Sequence, residues 1–421
     1  MQGCDRCAYL PESSSIPLTK TRRANLDVLA ASTLIFLAAF LLFAVEPILG
    51  KLILPRFGGS AGVWTACLLF FQSALVAGYL YAHLLARIRS ARLQAAVHSI
   101  LLLVSLAVLP LTLPAATAAG AAPLLDIIGL LVRTIGAPFV LLASTGPLLQ
   151  HWLAEGRGEQ AGRSPVRLYA VSNFGSLLAL VAYPLLVEPV FRVRLQTAGW
   201  SLGYGFFVAV GVAAAWVARR RAPAEPSPEA HDAAPALADR ALWFLLSLAA
   251  SALLLAMTSH ITQDVAPVPL FWIIPLGIYL FSFIAVFGWP GLYRRAVWLP
   301  AFAVALGGLM YAAAVPPAAQ NLPLVLGGYS LGFFLACLVL NGELESMRPP
   351  GSRLTGYYLT IALGGAGGAV LVAAVAPALL PGPYDLPIAL TLAGGIVVAA
   401  EWRRERQRRA GLWRRALLAS A

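Results

Sequence analysis

Glu46, Lys51 and Arg56 stand close together at the end of the first long apolar run of the chain. Glu188 ends another such run ahead of Arg192 and Arg194, and His260, Gln263 and Asp264 end a third. Acids, bases and an imidazole of this kind can hold one another ionised, bind a polar ligand, or work as an acid–base pair such as His260 with Asp264. Two readings stand side by side. The segments form a polar site for binding or catalysis, or they are structural pairings at helix ends, with Glu46 and Lys51 fixing a re-entrant loop. Deeper within apolar runs lie Gln72, Arg133 and Asn173. Polar groups there are costly unless they face a cavity, so all three are expected to line one. Arg133 has the further options of pairing with Asp126 or snorkelling outward. Asn341 and Glu343 close another run, where a gate and a simple helix cap are equal expectations. No metal is expected: Cys4-Asp-Arg-Cys7 supplies two ligands with no second pair nearby, and two do not close a tetrahedral site. No cofactor is expected either. Gly364-Gly-Ala-Gly-Gly368 lies inside an apolar stretch without the strand or the following acid of a dinucleotide fingerprint.

The elements that must position these residues are set by composition. Of 421 residues, 60% are hydrophobic and 11% charged, against roughly 25% charged in ordinary soluble domains. Runs of about 20 apolar residues, enough to cross a bilayer, recur at Leu29–Leu49, Ala61–Leu85, Leu93–Leu113, Leu124–Leu153, Leu168–Val187 and Leu195–Val217. After a break they return at Ala241–Met257, Leu270–Phe287, Ala296–Val315, Leu322–Leu340, Leu354–Leu380 and Leu386–Ala400. The expected fold is an all-α polytopic membrane protein of about twelve helices in a 6+6 arrangement. Residues 1–27 form a tail, 28–218 the first half, 219–240 a Pro-, Ala- and charge-rich linker, 241–401 the second half and 402–421 a basic tail. A span count of about 20 residues puts Glu46, Glu188 and the His260 segment at one depth, near the outer boundary.

The net charge of +12 does not mark a nucleic-acid binder, because the charges sit in alternate connectors. With the N-terminus inside, twenty-five arginines and lysines fall on inner segments; outside there are only Lys51, Arg56, Arg192 and Arg194. That asymmetry predicts both termini in the cytoplasm. Lysine is nearly absent among the basic residues while Ala, Gly, Pro and Arg abound, as in a GC-rich bacterial genome, so a bacterial inner membrane is expected. The tail from Trp402 to Arg415 combines arginines with tryptophan, which predicts contact with anionic lipid. The halves also repeat one another: Tyr169, Gly175 and Pro189 in the fifth run are matched by Tyr358, Gly364 and Pro377 in the eleventh. Repeated six-helix units are the plan of major-facilitator transporters.

Several blocks carry a more specific resemblance. Ala44-Val-Glu-Pro-Ile-Leu-Gly-Lys51, Leu54-Pro-Arg-Phe-Gly-Gly-Ser-Ala-Gly-Val-Trp64, Tyr169-Ala-Val-Ser-Asn-Phe-Gly-Ser176, Thr258-Ser-His-Ile-Thr-Gln-Asp264 and Asn341-Gly-Glu-Leu344 resemble the membrane region of major-facilitator/spermidine-synthase fusion proteins. The soluble aminopropyltransferase domain of those fusions has no counterpart in this sequence. Gly78-Tyr-Leu-Tyr-Ala-His-Leu-Leu-Ala-Arg87 also lacks the acid of the usual major-facilitator loop signature. The resemblance implies a transporter-like protein, with a small organic cation or polyamine as substrate. An intramembrane enzyme built on the outer polar cluster and a scaffold docking a separately encoded aminopropyltransferase are the alternatives. Reporter fusions test the orientation: cytoplasmic reporters on either terminus should be active, and periplasmic activity at both ends would overturn the assignment.

Overall fold

The structure, a computed structural model, describes residues 18–58, 61–114, 123–155, 164–218, 235–261, 273–289, 291–314, 322–349, 353–380, 382 and 384–419. Among them there is no strand. That is the expected outcome for apolar sequence in lipid, where a lone segment can satisfy its own amides and carbonyls only as a helix. Twelve helical segments result. In the first half they are α1 (Leu18–Phe57), α2 (Ala61–Ala86), α3 (Ala91–Ser105), α4 (Pro123–Leu131 and Ala137–Glu155), α5 (Ser164–Ala182 and Glu188–Val190) and α6 (Val193–Ala218). The second half holds α7 (Leu237–His260), α8 (Ile273–Gly288), α9 (Arg295–Ala314), α10 (Leu322–Ser346), α11 (Leu354–Val370 and Ala376–Leu379) and α12 (Asp385–Ala419). Eleven of these are long and apolar enough to cross a membrane, and the described part of α8 is a shorter apolar helix.

Each half encloses its own core. One cluster of buried apolar residues runs from Ala31 to Ala215 and another from Trp243 to Val397. A small third cluster joins Ala170 of α5 to Phe283 and Phe287 of α8 and Leu338 of α10. The halves meet chiefly through α2 with α11 and α5 with α8.

The sequence repeat has a structural counterpart. In the first half α5 crosses α1 so closely that a Cβ on Gly175 would come within 2.7 Å of the Phe36 carbonyl oxygen. In the second half α11 crosses α7, and a Cβ on Gly364 would strike the Phe244 carbonyl. Beyond these crossings both helices pass through a single π turn, Tyr183–Val187 in α5 and Leu371–Val375 in α11. A third π turn, Val132–Gly136, interrupts α4. The starts of α3 and α9 match as well: Gln94 Nε2 donates to the Ile88 carbonyl and Trp298 Nε1 to that of Leu292, each over six residues and at 2.7 Å.

Three sequence expectations are corrected. The first span does not end at Glu46 and Pro47, nor turn back as a re-entrant loop. The helix continues through Pro47 and Pro55 to Phe57, as lipid-embedded helices tolerate proline. Asn341 and Glu343 do not cap α10, which runs on to Ser346. Finally, residues 402–419 are a direct helical continuation of α12 and not a separate element. The CxxC motif and Trp272 lie outside the described residues. Gly364→Val should lower thermal stability in detergent by about 1–3 kcal/mol, the usual cost of overpacking. Gly205→Ala, where nothing lies within 4 Å of an added Cβ, should leave the melting curve in place.

Candidate functional site

On the side of the bundle away from the termini, the polar residues are arranged differently from the simplest reading of the sequence. Lys51 Nζ pairs with Glu188 Oε1 at 2.7 Å, both side chains being more than a third exposed, and the ammonium stands 6.0 Å from the Tyr183 ring centroid. The pair ties the outer end of α1 to α5 across the first half. Arg56 is exposed and donates from Nη1 to the Pro114 carbonyl at 2.7 Å. His260 Nε2 shares a hydrogen bond of 2.9 Å with the Tyr329 hydroxyl of α10, so this imidazole links two helices of the second half. Gln263 and Asp264 lie outside the described residues.

Glu46 is left without an ion pair or hydrogen bond among the described residues. It is half-buried on α1, near the Cys67 thiol of α2. Gln72 of α2 is likewise half-buried, whereas Arg133 is exposed within the π turn of α4. Asn173 is buried but does not reach out of its own helix: Nδ2 donates back to the Tyr169 carbonyl at 2.9 Å.

The side nearer the termini carries two kinds of polar contact. Within the second half, the Glu343 carboxylate is 1% exposed and takes a bidentate pair from Arg295, one arm being Nε to Oε1 at 2.7 Å. Tyr293 also donates to this carboxylate. Burial, and then the Glu343 carboxylate itself, push the Tyr293 phenol well above its ordinary pKa, which keeps the hydroxyl a donor. Glu401 of α12 lies 3.8 Å from the same guanidinium. At the corresponding ends of α3 and α4, Trp152 Nε1 donates to Gln94 Oε1 at 2.6 Å, so the first half uses a neutral clamp.

Between the halves, the hydrogen bonds seen among the described residues are neutral. His83 of α2 bonds Thr355 of α11 at 3.1 Å, and Tyr358 of α11 donates to Gln150 of α4 at 2.7 Å. Tyr169 of α5 stacks on Tyr358, with centroids 5.0 Å apart and planes 17° from parallel. The same ring meets Phe283 and Phe287 of α8 at 5.5 and 4.9 Å. Sequence reasoning used Tyr169 and Tyr358 only as markers of the repeat and did not single out Gln150, His83 or Phe287. The available signal was the recurrence of polar-tipped aromatics within one or two turns of the terminus-side ends of α2, α5 and α11. Among the described residues, no group of three or more His, Cys, Asp or Glu is placed to hold a metal.

No family model and no curated protein sequence matches the chain. Among solved structures it is similar to a variant of the E. coli fucose:proton symporter, with a TM-score of 0.52 and 14% identity over 88% of this chain and 97% of that one. It is also similar to a D-xylose-proton symporter, with a TM-score of 0.54 and 13% identity over 90% of this chain and 95% of the other. At such identities the likeness is one of fold, and the fold is a twelve-helix, major-facilitator-like membrane bundle.

Proposed function

We propose that this chain is a membrane transporter that exposes a site between its two six-helix halves to each side of the membrane in turn, and that it carries a small organic cation. The observation that carries the reading is the inter-half seal near the terminus-bearing face. It consists of Tyr169 on Tyr358, Tyr358 on Gln150 and His83 on Thr355. Stacked rings and neutral hydrogen bonds exchange for water at little net cost, about 1 kcal/mol per hydrogen bond. A buried ion pair spanning the halves would resist opening far more strongly. The charged Arg295–Glu343 pair lies within the second half, where it holds helices that move together.

Glu46 supports the coupling side of this reading. A carboxylate at membrane depth with no cationic partner among the described residues is a functional candidate by default, suited to taking up a proton or attracting a cation. The solved structures of similar fold are named as proton symporters, which is a precedent for proton coupling. The resemblance to the spermidine-synthase fusions supports a cationic substrate. Arginine placement supports an inner membrane of a bacterium with both termini in the cytoplasm.

Uptake into proteoliposomes under an imposed pH gradient tests the proposal. Labelled organic cations should accumulate in vesicles carrying the protein, and Glu46→Gln should reduce gradient-driven accumulation at least tenfold. If Glu46→Gln accumulates substrate as the parent does, Glu46 has no coupling role. Absence of protein-dependent flux for every cation tried would remove the transport reading itself.

A further inference from the structure

Three tyrosines at the inner floor of the inter-half region have nothing to hold. Tyr79 of α2, Tyr169 of α5 and Tyr279 of α8 lie near one another but make no hydrogen bond through their hydroxyls among the described residues. Each side chain is only partly buried, and none of the three oxygens is sealed from a water-sized probe. Tyr79 belongs to the first half yet packs against the core of the second. Tyr279 sits edge-on to Phe283 at 5.1 Å, and Phe283 in turn contacts Tyr169. Counting along the helices, Tyr79, Tyr169 and Tyr279 all lie about 8–14 Å in from the inner ends of their helices, by the rise of about 1.5 Å per residue. They therefore lie at and just above the level of the seal, to which Tyr169 itself belongs.

Phenols whose oxygens are open to a water-sized probe at the bottom of a membrane bundle are free to meet a polar ligand. The surroundings restrict what that ligand is. A neutral polyol needs several amides or charged groups to match its hydroxyls, and among the described residues most buried amide groups nearby are already engaged. Gln150 accepts from Tyr358 and Asn173 bonds its own helix, while Asn341 donates to Ser282 and keeps only its Oδ1 without a partner. A polyamine needs several carboxylates, but Glu343 is consumed by Arg295, which leaves Glu46 among the described residues of the spans. Aromatic faces with phenolic oxygens suit a cation with an apolar body. The charge that reaches Tyr358 from beyond the seal, on the terminus side, is Arg348, which opposes passage of a cation past the floor while the seal is shut.

Resting on the transport reading, we infer that Tyr79, Tyr169 and Tyr279 form the recognition floor for a singly charged organic cation such as a quaternary ammonium, and not for a polyamine or a sugar. The site binds by cation–π contact with the ring faces of Tyr79 and Tyr279, and Tyr169, whose face is stacked on Tyr358, offers its phenolic oxygen.

Equilibrium binding of radiolabelled tetraphenylphosphonium and tetraethylammonium to the full chain in lipid nanodiscs tests this. Saturable binding of at least one probe is expected, with spermidine and galactose failing to compete. Replacing Tyr279 by phenylalanine with increasing ring fluorination keeps the shape and drains the π face. Affinity should fall stepwise, to roughly a tenth at full fluorination. The double variant Tyr79→Leu with Tyr279→Leu should abolish binding, with monodispersity checked by gel filtration. No saturable cation binding, competition by spermidine or galactose, or an affinity indifferent to fluorination overturns the inference. Protein-dependent flux of another class of solute, without cation binding, would sink this site and leave transport standing. Cation binding without flux of any solute would do the reverse.

Discussion

Close backbone approach at two glycines is the constraint on which the rest of this molecule depends. In lipid, apolar side chains gain little by leaving the solvent, so helices associate by packing at short range. Gly175 lets α5 lie against the Phe36 carbonyl of α1, and Gly364 lets α11 lie against the Phe244 carbonyl of α7. Gly368 repeats the contact one turn further along α11, against the Leu248 carbonyl. These crossings fix where Tyr169 and Tyr358 emerge, and the two rings stack because the crossings are equivalent in the two halves. A side chain at either glycine would move an entire helix, and with it half of the seal.

The distribution of charge follows from the same division into halves. Charged contacts lie within the second half: the buried Arg295 with Glu343 and Tyr293 at the end of α10, and the partly exposed Arg403 with Asp239 between α12 and α7. Across the interface there are rings, a hydroxyl on an imidazole and a hydroxyl on an amide. A pair buried at Glu343 depends on its partner, because one member left alone would be an uncompensated charge. The inter-half rings and hydrogen bonds among the described residues carry no such dependence.

The span count and the halving of the chain were legible in the sequence because lipid imposes a single local solution, and the repeat was legible through Tyr169, Gly175, Tyr358 and Gly364. The polar pairing on the other face was not. Glu46 and Lys51 look like partners in the sequence, but on a continuous helix five residues turn through about 140°, and Lys51 faces Glu188 instead. The error came from reading Pro47 as an end. The tyrosine floor escaped notice for a different reason: a tyrosine near the end of a span normally reads as an interfacial anchor. Only the convergence of α2, α5 and α8 shows Tyr79, Tyr169 and Tyr279 to be neighbours.

The π turns carry a geometric consequence. Each winds one more residue into a turn than an α-helix does, so everything above Tyr183 in α5 and above Leu371 in α11 is rotated by about 100° against the stretch below. A helical wheel drawn straight through either span assigns the upper residues to the wrong neighbours. Lower and upper leaflet thus meet two differently phased surfaces of one rod, and the sequence of each can drift independently of the other.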